Sequence, residues 1–305
     1  MAHGVTNLYH ATQRVPDLDA VQRFFADVFG RGSAILGDYL PRTDGVDYGI
    51  PRDYALFTPI AEVLVESIDP RRVLGGSDPV AEPRLSGLAW FVEGIDELWR
   101  EMRRHGLRGS GMDHVVLDGD EPPRTVSDTP FILTVPDETG MSYELLTFRP
   151  NRDPRGSPPV HAVLEPDPLG IECCAYHTVV TAQPERPLEL LTDVLGGRVV
   201  HEGRNDVHGS QSTFVALGDG VVEIAVPLVE HSRAMERLHE QSPYDSYYGL
   251  TWKVRDLEAV ARHLTTVDVN HDRSTATTIV TDPADSLGVP WGFTTAAVPG
   301  DTRFA

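Results

Sequence analysis

The chain has 305 residues, 40% of them hydrophobic, and a formal net charge of −20. The length suggests two domains of ordinary size. The acidic balance excludes a general nucleic-acid binder, which needs a basic face for phosphates, and no apolar run reaches the roughly 18 residues of a membrane span.

From the N-terminus, NLYHATQRVPDLDAVQRFFADVFGR reads as a strand carrying His10, then a helix stopped at Gly30. The opening MAHGVTNLYHATQ lacks the layout of a secretion signal, so a cytoplasmic location is expected. YALFTPIAEVLVESI supplies further strands, and within it Glu62, Leu64 and Glu66 share one face. PRRVLGGSDPVAEPR reads as a linker. GLAWFV, residues 87–92, opens the next unit; a helix follows, with Ile95, Leu98 and Met102 at helical spacing. PFILTVPDETGMSYELLTF closes that unit with strands and places Glu144 between apolar neighbours.

The stretch RPNRDPRGSPPVHAVLEPDPLG is dense in proline and glycine. It divides a first domain, 1–150, from a second, 172–305, with 151–171 as the joint. The second half then repeats the first. CCAYHTVVTAQPERPLELLTDVLGGR again gives a strand with a histidine, His177, and a helix stopped by glycine. STFVALGDGVVEIAVPL carries Glu223. GLTWKV begins at Gly249, 162 positions after Gly87, and Leu257, Val260 and Leu264 continue at helical spacing. EHSRAMERLHEQSPYDS is a joint with helical potential, and TIVTDPADSLGVPWGFTTA closes the chain with strands. Four strand–helix–strand–strand–strand modules result, near 6–69, 85–148, 172–229 and 246–297. Cys173 and Cys174 are sequence neighbours, which excludes a normal disulfide, and read as strand residues.

The fourfold recurrence of these elements resembles the vicinal oxygen chelate superfamily of glyoxalases, bleomycin-resistance proteins and extradiol dioxygenases. The resemblance implies an α+β fold of four βαβββ modules, paired into two tandem open cup-shaped sheets. In the enzymes of that family a divalent metal sits in a cup, held by residues of the first and last strands of the paired modules. Carried over by position, the ligands in the first half are His10, Glu66 and Glu144; Gly87 stands where relatives have a fourth. The second half retains His177 and Glu223 as a weaker site, with Gly249 and Gly292 at the other two places.

One imidazole and two carboxylates suit Fe, Mn or Zn, and with added waters Co or Mg, so one divalent ion of undetermined identity is expected. Such an ion acts as a Lewis acid toward a substrate oxygen, while Glu66 or Glu144 serves as a general base. Arg14 and His114 are expected to line the same cup with Gly87 and contact substrate. Each glutamate taken alone also fits the plainer account of a solvated strand residue, since half-exposed strands are polar at every second place.

The expected function is a metal-dependent isomerase, epimerase or lyase acting on a small oxygen-rich molecule. Two alternatives stay open: an Fe(II) ring-cleaving dioxygenase, which the glycines at 87 and 249 oppose, and a metal-free protein that binds an antibiotic-like molecule. The partner is a small-molecule substrate, with neither nucleic acid nor membrane expected; a homo-oligomer is compatible with the sequence. Pairing of modules one with two and three with four is assumed; pairing of two with three would bring Glu144, His177 and Glu223 together instead.

Overall fold

A computed structural model describes residues 3–35, 51, 53–73, 82–147 and 167–304. Much of the expected joint at 151–171, and part of the one after residue 70, lie outside the described residues. The first half contains β1 (Gly4–Arg14), β2 (Ala34–Ile35), β3 (Ala55–Ile60), β4 (Val63–Ile68), β5 (Arg84–Glu93), β6 (Gly109–Ser110), β7 (Val116–Leu117), β8 (Phe131–Thr134) and β9 (Tyr143–Thr147). They form one sheet in the order β2-β3-β4-β1-β5-β9-β8-β6-β7. The second half contains β10 (Ile171–Val180), β11 (Arg198–Asn205), β12 (Ser210–Leu217), β13 (Gly220–Pro227), β14 (Ser246–Val254), β15 (His271–Thr275), β16 (Thr278–Thr281) and β17 (Gly292–Thr294). Their order is β11-β12-β13-β10-β14-β17-β16-β15.

Each sheet is therefore two modules joined through their first strands, β1 antiparallel to β5 and β10 antiparallel to β14. Module one pairs with two, and three with four. Four βαβββ modules form two tandem curled sheets, with β7 as an added edge hairpin strand in module two.

The helices sit where their apolar spacing requires. In α1 (Leu18–Asp27) the buried face is Leu18, Val21 and Phe25, and Asp17 caps the start by accepting from the amides of Asp19 and Ala20. Asp256 does the same for the helix Leu257–Thr266, whose buried residues are Leu257, Val260 and Leu264. The helix Ile95–Arg104 buries Ile95, Leu98, Trp99 and Met102. The helical potential between modules three and four becomes a helix over Arg233–Gln241, capped by Ser232.

The two halves share their core. Phe25 of α1 and Phe29, just past its end, pack edge-on against Trp291, at ring separations of 5.8 and 5.3 Å. One apolar cluster runs from Leu8 to Phe293. Polar contacts also cross the seam. The Leu8 amide donates to Asp219 at 2.7 Å, and the Cys174 amide donates to Glu62 at 2.8 Å. No helix among the described residues is long and apolar enough to cross a membrane.

Strand register fixes which positions correspond between the halves. Thr12 lies opposite Gly87 and beside Glu66; Thr178 lies opposite Gly249 and beside Glu223. Glu144 lies beside Ala89, as Gly292 lies beside Thr251. Counted from these anchors, the position matching His10 is Tyr176, and His177 matches Ala11.

Candidate active site

On β1 the alternate residues His10, Thr12 and Arg14 fall on one face, turned to the hollow of the first sheet. Parallel pairing sets Thr12 beside Glu66 of β4. Across β5, His10 faces Ala89, which is paired with Glu144 of β9. Sheet register alone thus gathers residues from positions 10, 66 and 144.

The contacts are ordered. The Tyr54 hydroxyl donates to Glu66 Oε1, and the Thr12 hydroxyl donates to Glu66 Oε2 at 2.8 Å. Thr12 has one proton and gives it to Glu66, so its 3.0 Å contact with His10 Nδ1 places a proton on that nitrogen. His10 Nδ1 lies 3.5 Å from Glu66 Oε2, while Nε2 points the other way, 3.7 Å from Glu144 Oε1. The imidazole stands between two carboxylates. Burial pulls its pKa down, but Glu66 and Glu144 outweigh that, and the net displacement is upward. Burial raises Glu66 above the usual carboxylate range, against the opposing pull of His10.

Above this group opens a cavity of about 460 Å³, lined by Arg14, Gly87, His114 and Glu144 among others. Its walls mix hydroxyls with the apolar side chains of Met112, Val116 and Leu133. Of the six residues expected at the cup from sequence, Arg14, Glu66, Gly87, His114 and Glu144 line it and His10 does not. His114 sits at φ 57, a backbone region uncommon for residues other than glycine. Gly87 is not forced by crowding. A Cβ there would meet Ser142 O and Thr12 Cβ at 3.9 Å, ordinary contact.

Glu66 lines the same cavity. Its two oxygens are engaged by Tyr54 and Thr12, on the Nδ1 side of His10. Among the described residues no three His, Cys, Asp or Glu side chains surround one point. The donors that fit an ion facing the cavity are His10 Nε2, freed by the proton on Nδ1, and Glu144 Oε1. Glu66 reaches the ring through Thr12, on the side away from Glu144. Tyr54 and Thr12 were not singled out from sequence. Thr12 had a readable signal, two residues from His10 on the same strand face. Tyr54 precedes β3 after a long connection and had none.

The second pair, His177 and Glu223, is not brought together. His177 falls on the face opposite the hollow because β10 carries one residue fewer than β1 between its histidine and the end of the strand. A one-residue slip exchanges the faces. Its Nδ1 lies 2.6 Å from the Tyr247 hydroxyl, its Nε2 is 3.5 Å from Cys174 Sγ, and burial lowers its pKa to about 3. Glu223 is fully buried and accepts from Thr178 at 2.7 Å, Asn205 at 2.7 Å and Ser212 at 2.6 Å. The Thr–Glu pair recurs in both halves, but its histidine does not.

No protein-family model matches the chain, and no curated protein matches it in sequence. Solved structures do match in shape. Catechol 2,3-dioxygenase aligns at TM-score 0.61 and 14% identity, over 99% of this chain and 91% of its own. A variant of 4-hydroxymandelate synthase from Streptomyces coelicolor aligns at TM-score 0.61 and 12% identity, over 98% and 96%. The Mn(II)-bound glyoxalase from Novosphingobium aromaticivorans aligns at TM-score 0.59 and 13% identity, over 98% and 86%. At these identities the likeness is one of fold.

Proposed function

Since the chain has the vicinal oxygen chelate fold, we propose that its first cup is the active site of an enzyme of the isomerase, epimerase or lyase kind. Its substrate is a small oxygen-rich molecule, and a proton is moved at a carbon next to a carbonyl. The observation that carries this reading is the pairing of His10 Nε2 with Glu144 Oε1, 3.7 Å apart at the edge of a 460 Å³ cavity.

Glu66 and Glu144 both line the cavity; Glu144, which faces His10 Nε2 and is not held by Tyr54 or Thr12, is the base. His10 faces it with the nitrogen that is free to accept or to give. Glu66, fixed by Tyr54 and Thr12, holds the ring in that orientation and supplies the charge that balances an imidazolium. Arg14 at the mouth meets an anionic group of the substrate. A divalent ion bound at the cup would be held by His10 and Glu144, and would stabilise negative charge developing on a substrate oxygen.

The test needs no substrate. Purified protein is stripped with chelator, reloaded with Mn(II), Zn(II), Co(II), Fe(II) or Mg(II), and assayed for bound metal and for its melting temperature. One equivalent of ion is expected, with stabilisation of about 3 kcal/mol at a hundredfold excess over Kd. His10→Ala and Glu144→Gln are expected to abolish uptake, and Glu66→Gln to weaken it without abolishing it. Uptake by Glu144→Gln at the wild-type level sinks the assignment; a wild type that takes up no ion leaves only a metal-free pocket.

A further inference from the structure

Strand register carries the row of the first cup beyond Glu144. Glu144 of β9 lies opposite Leu133 of β8, Leu133 opposite Ser110 of β6, and Ser110 opposite Val116 of β7. Partners in register share a face of the sheet, and all four residues line the cavity. Neighbouring strands lie about 4.8 Å apart, so the row from Glu144 to Val116 is about 14 Å long. On the other side of Glu144 the same row leads through Ala89 to His10.

The two ends of this row differ in chemistry. Thr12, Arg14 and Glu66 stand on the β1 and β4 side of the cavity; Leu133, Met112 and Val116 stand on the β6–β7 side. The acids and the arginine of the lining are Arg14, Glu66 and Glu144, and none of them lies between Leu133 and Val116. Two polar groups do interrupt the apolar wall. Ser110 places one hydroxyl between Leu133 and Val116, and His114 is exposed on the connection between β6 and β7. One hydroxyl sets no charge preference. Val116 is 45% exposed, and its neighbours Val115 and Leu117 are exposed as well. Single apolar side chains at a surface are ordinary; three in succession, one of them lining a cavity, mark surface that a guest covers. A carbonyl head between His10 and Glu144 fills only a small part of about 460 Å³, a volume ordinary for a drug-sized ligand.

We propose that the substrate of the first cup carries an alkyl arm of about six to eight carbons, lying from Glu144 over Leu133 to Met112 and Val116. This inference rests on His10 and Glu144 as the reacting end.

Isothermal titration of the full chain, chelator-stripped and Mn(II)-loaded, with acetohydroxamate, butanohydroxamate, hexanohydroxamate and octanohydroxamate separates head from arm. Affinity is expected to rise about threefold per added methylene, by the same factor in both metal states. A hexyl-length arm tipped with a hydroxyl or a carboxylate is expected to bind at least tenfold more weakly than hexanohydroxamate. Val116→Asp, at an exposed position, is expected to weaken octanohydroxamate at least tenfold and to leave acetohydroxamate unchanged. If that variant does not fold, Met112→Gln is expected to weaken octanohydroxamate several-fold with the same indifference to acetohydroxamate. A gain with arm length that Mn(II) leaves untouched in every member, the head included, tells against the metal reading of His10 and Glu144 and supports the arm. Affinity that does not grow with the arm, a tipped arm that binds as tightly as the alkyl one, no binding of octanohydroxamate in either state, or an undiminished gain in a folded variant overturns the arm.

Discussion

The position of His177 on the core side of β10 predicts a specific pH dependence. Its pKa falls from the ordinary 6.5 to about 3 because the ring is buried. In the unfolded chain the ring charges near pH 6.5; in the folded protein it stays neutral far below that. The unfolded state therefore binds more protons, and the contribution of this residue is full above pH 6.5 and is lost as pH falls toward 3. Each pH unit in that window is worth about 1.4 kcal/mol, so going from about pH 7 to about pH 5 removes about 2 kcal/mol. His177→Gln keeps a polar partner for Tyr247 and cannot titrate. Urea unfolding of both proteins at the two pH values isolates the effect, because the buried His208, whose pKa is also lowered by burial, is present in each and cancels. The wild type is expected to lose about 2 kcal/mol more than the variant. Equal losses, or an NMR titration of His177 near 6.5, would refute the burial argument and the register assignment with it.

Tyr54→Phe removes one of the two hydroxyls on Glu66 and is expected to destabilise by about 1–3 kcal/mol in urea melts, since a buried acceptor is left short of a partner. Gly140→Ala places a Cβ 1.7 Å from Asp245 Oδ2 at φ 85, so a loss above about 2 kcal/mol is expected by thermal unfolding. Leu238→Ala, in the helix Arg233–Gln241, empties a buried position against β10 and β14. It is expected to cost about 2–5 kcal/mol and to quicken proteolysis near residues 230–245.

The fourfold pattern was legible because it is written in local terms: glycine-stopped helices, apolar faces at helical spacing, and a strand opening repeated as GLAWFV and GLTWKV. The triplet His10, Glu66 and Glu144 came from the family resemblance, by position; sheet register brings the three near one another. Three things were not legible. Tyr54 reaches Glu66 from beyond a long connection with no periodic signal. That Tyr54 and Thr12 claim both oxygens of Glu66 is a matter of side-chain geometry. His177 looked equivalent to His10 because YHAT and YHTV align by letters. The chain is read by register, and there the single-residue difference placed tyrosine in the hollow and histidine in the core.

The same register explains why the halves have diverged in kind. At the mouth of the first cup stand Arg14, Ile68 and Ser86. Their counterparts are Val180, Ala225 and Tyr248, and on these the helix Arg233–Gln241 lays Ala234 and Leu238. A helix that buries two apolar side chains there covers the place that is the open mouth of the first hollow. Behind that seal Glu223 is satisfied by three donors, and glycine occupies the other two positions, 249 and 292, that the resemblance pointed to. The missing histidine, the missing second carboxylate and the covered mouth all point the same way: the arrangement of the first hollow is not reproduced in the second.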